Sequence, residues 1–104
     1  MKNIPEISLL IDFYGNLLTD KKILYLDDYY FKDLSLIEIA QKYSVSKNAI
    51  FDSINNSVIE LNKYEEKLNF IKKYKMRINI YNKLNNDILK NELLATEVYN
   101  NFKK

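Results

Sequence analysis

Residues 33–54, DLSLIEIAQKYSVSKNAIFDSI, decide how this chain is read. Ser35 followed three residues later by Glu38 is the pattern in which a hydroxyl and a carboxylate cap the same helix start reciprocally. It predicts a short helix from Leu36 to about Lys42, with Leu36, Ile39 and Ala40 turned inward. Tyr43, Ser44 and Val45 make a turn, Ser46 caps again, and Ala49, Ile50, Ile54, Val58 and Leu61 recur at the spacing of one helical face. Ala40 is small where the two helices must cross closely, and Ile39, Val45, Ile50 and Ile54 lock them, which is the helix-turn-helix arrangement. Ser44 occupies the turn position where the backbone goes left-handed and glycine is usual, at a cost of roughly 1 kcal/mol.

On the N-terminal side, Thr19 can cap another helix, with Asp20 well placed against its dipole. Ile23, Leu26, Tyr30 and Phe31 carry that helix's apolar stripe. Pro5 suits the first turn of an initial helix whose inner face is Ile7, Leu10, Ile11 and Tyr14. Gly15 then reads as the left-handed residue that stops it. On the C-terminal side the seam continues through Leu68, Ile71, Ile78, Tyr81, Leu84 and Ile88. A break is expected at Lys67 to Asn69 or at the Asn85-Asn86 pair.

With a single glycine and a single proline in 104 residues, strands and their turns have no support. The fold class is therefore all-α: a helix-turn-helix with an N-terminal helix and a long C-terminal helical extension. The absence of cysteine and histidine excludes disulfides, thiol nucleophiles and the commonest zinc ligands. No signal peptide opens the chain, and no apolar run reaches the roughly eighteen residues of a membrane span, so a cytoplasmic protein without membrane contact is expected. The formal charge of +2 hides a division: residues 1–62 carry six basic and nine acidic groups, and residues 63–104 carry ten and five. We therefore expect a helix-turn-helix core over 1–62 and a basic helical extension over 63–104, both within one domain.

Two sets of residues are candidates for binding. Lys47, Asn48, Phe51, Asp52 and Asn55 open the second helix of the motif on the face opposite Ile50 and Ile54, where a major groove would be met. Either asparagine could form the bidentate contact to adenine. From Ser35 to Asn62, however, there are two basic and three acidic residues, so the release of counterions that drives DNA binding is largely missing. The second set is Lys72, Lys73, Lys75 and Arg77 around Tyr74, cations and a ring suited to an RNA backbone with an unstacked base, or to an acidic protein surface. Asp27-Asp28 and Glu65-Glu66 are adjacent pairs whose side chains diverge on a helix. They read as surface charges, and we expect no catalytic residues, no metal site and no cofactor. The apolar and tyrosine-rich face after Val58 exceeds what the short helices need to cover; folding back over the first helix would use it within one chain, and packing against a second copy, a homodimer, is the expectation.

The strings DFYGNLLT (Asp12 to Thr19), DDYYFKDLSLIEIAQKYSVSKNAIFDSI (Asp27 to Ile54) and LNKYEEKL (Leu61 to Leu68) resemble the YlxM-type helix-turn-helix proteins of Gram-positive bacteria and mollicutes. The likeness spans about the first 70 residues, in three blocks at the expected order and spacing. It implies an all-α protein with a motif like region four of bacterial sigma factors. It also implies a regulatory or accessory role in the signal recognition particle pathway, a role tied to the family by the position of its gene beside those of the particle's protein and receptor; binding to the particle's protein or RNA is the function we expect on that basis. A sequence-specific DNA-binding transcription regulator is the alternative. The chain departs from the family in having Lys47 and Asn48 where arginine and glutamine are usual, and Asn55 and Asn56 where further basic residues often stand.

Overall fold

A computed structural model describes residues 3–102, with side chains over 3–90. It is all-α. Helix α1 (Ile4–Tyr14) passes through a 3-10 turn (Gly15–Leu17) to α2 (Asp20–Leu26), which widens into a π-helical turn (Asp27–Phe31). Then come α3 (Leu36–Tyr43), α4 (Lys47–Leu68) and α5 (Phe70–Phe102). The chain divides into two compact units, Met1–Ile71 and Lys72–Lys104. Helix α4 thus runs unbroken past residue 62, where the charge balance changes sign, because Ile50, Ile54 and Leu61 hold one continuous face against α1, α2 and α3.

Local signals explain the helix ends. Asn3 and Thr19 accept the backbone N–H groups of Glu6 and Lys22, and Ser35 with Glu38 forms both halves of the capping box, each hydrogen bond 3.1 Å long. Of the two expected breaks, the one at Asn69 occurs. Its backbone is left-handed (φ 55°), which asparagine tolerates, and its N–H bonds to the Glu65 carbonyl at 2.8 Å. Asn85 and Asn86 lie inside α5.

Tyr14, Leu26, Ile39, Ile50 and Leu61 are fully buried, joined by Ile7, Leu10, Leu18, Tyr25, Ala40, Ile54 and Ile71. Several expectations are corrected here. Gly15 is right-handed (φ −56°) and is not a left-handed stop. Its lack of a side chain serves a close approach instead, since a Cβ would meet Ile11 at 3.2 Å and Ile23 at 3.3 Å. The left-handed residues are Asp33, Ser44 and Asn69. Ala49 is exposed, and Ser57 completes the inner row of α4, its hydroxyl donating to the Ser53 carbonyl at 2.7 Å so that no polar atom is stranded. Tyr25 joins the inner face of α2, and Phe31 is exposed, since the π turn shifts the register of the face beyond Leu26.

Asp28 is the largest correction to the surface-charge reading. The π turn carries it inward to 1% exposure, where both its oxygens accept from Lys42 Nζ (3.0 and 3.1 Å) and one from the Tyr43 hydroxyl (2.7 Å). Lys32 adds an ion pair at 3.4 Å. Burial pushes the Asp28 carboxyl up, but the hydrogen bonds from Tyr43, Lys42 and Lys32 outweigh it and hold the group below the usual carboxylate range. The result ties the π turn that follows α2 to the end of α3.

Candidate nucleic-acid interface

The turn between α3 and α4 is built from backbone groups that the local sequence leaves over. Ser44 adopts φ 55°, ψ 45°, the left-handed conformation expected there, and the Val45 N–H reaches back to the Ala40 carbonyl at 3.0 Å. Ser46 then accepts the Ala49 N–H at 3.0 Å and starts α4. Ile39 and Ile50 are wholly buried where α3 and α4 pack together, which fixes the start of α4 against α3.

Lys47, Asn48, Phe51, Asp52 and Asn55 are all exposed along those turns, so the structure does bring this set together on one flank. Their surroundings are more aromatic and acidic than a phosphate backbone requires. Phe51 and Asn55 border a hollow of about 160 Å³ with Tyr29, Tyr30, Leu36 and Ile54. Lys47 borders an adjoining one of about 460 Å³ with Asp33, Glu38 and Ile37, and Tyr29 and Leu36 line both. Tyr29 and Tyr30 meet edge to face with ring centres 5.0 Å apart. One lysine beside two carboxylates supplies little of the attraction a duplex needs.

Lys72, Lys73, Lys75 and Arg77 lie in the second compact unit, exposed on α5. Helical spacing sorts them into two flanks: Lys73 and Arg77 stand one turn apart, and Lys72 and Lys75 share another side. Lys83 and Lys90, also exposed, extend the Lys72 row, being eleven and eighteen residues on, close to whole numbers of turns. The basic surface is therefore a strip along the helix rather than a single patch near Tyr74.

One group escaped the sequence reading. The buried Tyr14 hydroxyl donates to Glu65 Oε1 at 2.5 Å and accepts the Phe70 N–H at 3.1 Å, while the same Glu65 oxygen accepts the Ile71 N–H at 2.9 Å. Two side chains from α1 and α4 thus cap α5 from outside, satisfying N–H groups that open a helix without a local partner. Burial pushes the Tyr14 hydroxyl's pKa up, and the carboxylate of Glu65 adds to it. The Tyr14 ring stacks on Phe70 with centres 6.0 Å apart. The only sequence hint is Glu65 placed just before a break.

Comparison with known proteins decides the family. The family described as "Putative helix-turn-helix protein, YlxM / p13 like" matches residues 1–101. The chain belongs to this YlxM / p13-like helix-turn-helix family. A relative from Malacoplasma penetrans is 53% identical over 96 residues, covering 92% of this chain and 90% of its own length. One from Listeria welshimeri is 42% identical over 93 residues, covering 89% and 84%. YlxM of Bacillus subtilis is 42% identical over 84 residues, covering 81% and 76%. The YlxM / p13-like match reaches well past the three blocks that end at Leu68, so most of α5 belongs to the family too. Membership of a helix-turn-helix family points to binding, nucleic acid included, rather than to catalysis. Among the described residues, no helix is long and apolar enough to cross a membrane.

Proposed function

We propose that this YlxM-like protein is a cytoplasmic, non-enzymatic accessory or regulatory factor of the signal recognition particle pathway, acting as a homodimer and binding the particle's RNA or protein. The pathway comes from the family resemblance. The observation that carries the mode of binding is the exposed basic strip of α5, Lys72, Lys73, Lys75 and Arg77 with Lys83 and Lys90; the motif helix, by contrast, has a flank that offers Lys47 among Asp33, Glu38 and Asp52. Cations along one helix can follow a phosphate backbone, and their contribution weakens steeply as salt rises.

The test is a side-by-side titration of the purified protein against the particle RNA, the particle's protein and random duplex DNA, each at two salt concentrations. Selective, salt-steep binding to the RNA is expected, and replacing Lys72, Lys73, Lys75 and Arg77 by Gln should remove most of it. Retained RNA affinity in that variant would overturn the assignment to α5. A second reading, a sequence-specific DNA-binding regulator, is favoured by the exposure of Asn48 and Asn55 on the first turns of α4. It requires that Lys47→Ala with Asn48→Ala abolish selection of one DNA site while leaving the particle RNA result untouched.

A further inference from the structure

Every described side chain from Lys72 to Lys90 is exposed, although Ile78, Tyr81 and Ile88, three and seven residues apart in turn, fall on a single helical face. Leu84 stands beside this row, and the opposite face carries Lys72, Lys83 and Lys90. A helix of 33 residues is about 50 Å long, and half its circumference offers a strip on the order of the 800 Å² that each partner contributes to a stable pair. Isolated helices draw little stability from the backbone alone, so such a stripe is expected to be covered in the working molecule.

Two features identify what covers it. Asn85, four residues after Tyr81 and three before Ile88, places an amide on the stripe near the middle of α5, which runs from Phe70 to Phe102. The charge, moreover, is graded along the helix: residues 70–83 hold five cations and no carboxylate, whereas 84–102 hold Asp87, Glu92 and Glu97 against Lys90, with Lys103 and Lys104 following in sequence. We infer that α5 pairs with the α5 of a second copy in antiparallel orientation, about a two-fold axis passing close to Asn85. That arrangement sets each basic end against the more acidic end of the partner, opposes the two helix dipoles favourably, and brings Asn85 of both copies together, where the two amides can satisfy one another and hold the register. A parallel pair would stack five cations on five. Lys72, Lys83 and Lys90 lie outside the interface on both copies, whereas Arg77, four residues before Tyr81 and eleven before Ile88, borders it.

This deepens the homodimer of the preceding reading and rests on it, so the experiment separates the two. Sedimentation equilibrium of the full chain across a wide concentration range should give a dimer. The Ile78→Glu, Tyr81→Glu double variant should give a monomer whose helical circular dichroism still melts cooperatively. The native chain has no cysteine, so Lys73→Cys can carry a single spin label. In the antiparallel pair the two labels stand about 40 Å apart, from a 1.5 Å rise per residue. In a parallel pair they stand no more than about 25 Å apart, the width of two helices. A dimer with the short distance overturns the orientation alone, and a dimer that survives the double variant overturns α5 as the interface. A monomer at every concentration overturns both the dimer and the pairing. A monomer that binds phosphatidylserine vesicles through the same residues would assign the face to a lipid surface instead.

Discussion

Helices α4 and α5 carry apolar residues at the same spacing and meet opposite fates. Ile50, Ile54 and Leu61 are 0%, 6% and 0% exposed, whereas Ile78, Tyr81 and Ile88 are 42%, 65% and 55% exposed. The first row is covered by α1, α2 and α3; the second is described as surface throughout. Periodicity thus declares that a helix has an inner face without saying whether its own chain supplies the cover. The same split separates the chemistry, since the covered helix presents a mostly uncharged polar flank and the exposed one presents the cations.

The comparison breaks most directly by truncating one residue from each row. Leu61→Ala should lower unfolding free energy by about 2–5 kcal/mol, whereas Ile88→Ala, measured at concentrations where copies are separated, should stay within about 0.5 kcal/mol. Equal losses in urea melts would mean that the exposed row is packed within its own chain. Next in size is Asp28→Asn, which removes the charge that holds Lys42 and Tyr43 and should cost about 1–3 kcal/mol at neutral pH. The folded carboxyl lies below its unfolded value, so its contribution is full above about pH 4 and is lost as pH falls through the depressed folded pKa. Melts of the variant should therefore differ from those of the native chain less in acid than at neutrality. A constant difference would detach Asp28 from the acid limb.

At the junction of the two rows, Tyr14→Phe strips the hydroxyl that caps Phe70 and should cost about 1–2 kcal/mol. Amide exchange at Phe70 and Ile71 should quicken while exchange at Leu61 follows only the global change, a contrast that nuclear magnetic resonance reads residue by residue. If the Phe70 and Ile71 amides slow or hold, the external cap is not what anchors α5. The smallest effect is a gain. Ser44→Gly relieves a left-handed side chain and should raise the thermal midpoint, by an amount worth about 0.5–1 kcal/mol, with the core rows undisturbed.

Much of the helical framework was legible because each signal acts within a few residues. The capping box at Ser35 and Glu38, the caps at Thr19 and Ser46, the left-handed Ser44 and the break at Asn69 all concern backbone groups satisfied by their immediate neighbours. Gly15 misled for an instructive reason. A glycine after a helix reads most economically as a left-handed stop, yet what it accommodates is the Ile23 side chain of the following helix, a neighbour that only exists once α1 and α2 have folded together. The two binding sets were legible as residue types, and the structure leaves both exposed. The aromatic hollow beside Phe51 and the extension of the basic strip to Lys90 depend on the π turn and on an unbroken α5, neither of which local composition announces.

The sequence by itself determined that this chain is all-α, where its motif helices begin, which residue bends the turn and at which two places the long helical run could break, since dihedral preference and end-capping are decided over one or two turns. Only the tertiary structure decided that Asp28 is buried and Asp27 partly open, that Tyr14 and Glu65 cap a helix more than fifty residues from α1 in the chain, and that Ile50 is core while Ile78 is surface. Those outcomes depend on which distant groups arrive at the same place, and the free energy of burying a side chain is a property of the pair that meets, not of either residue alone.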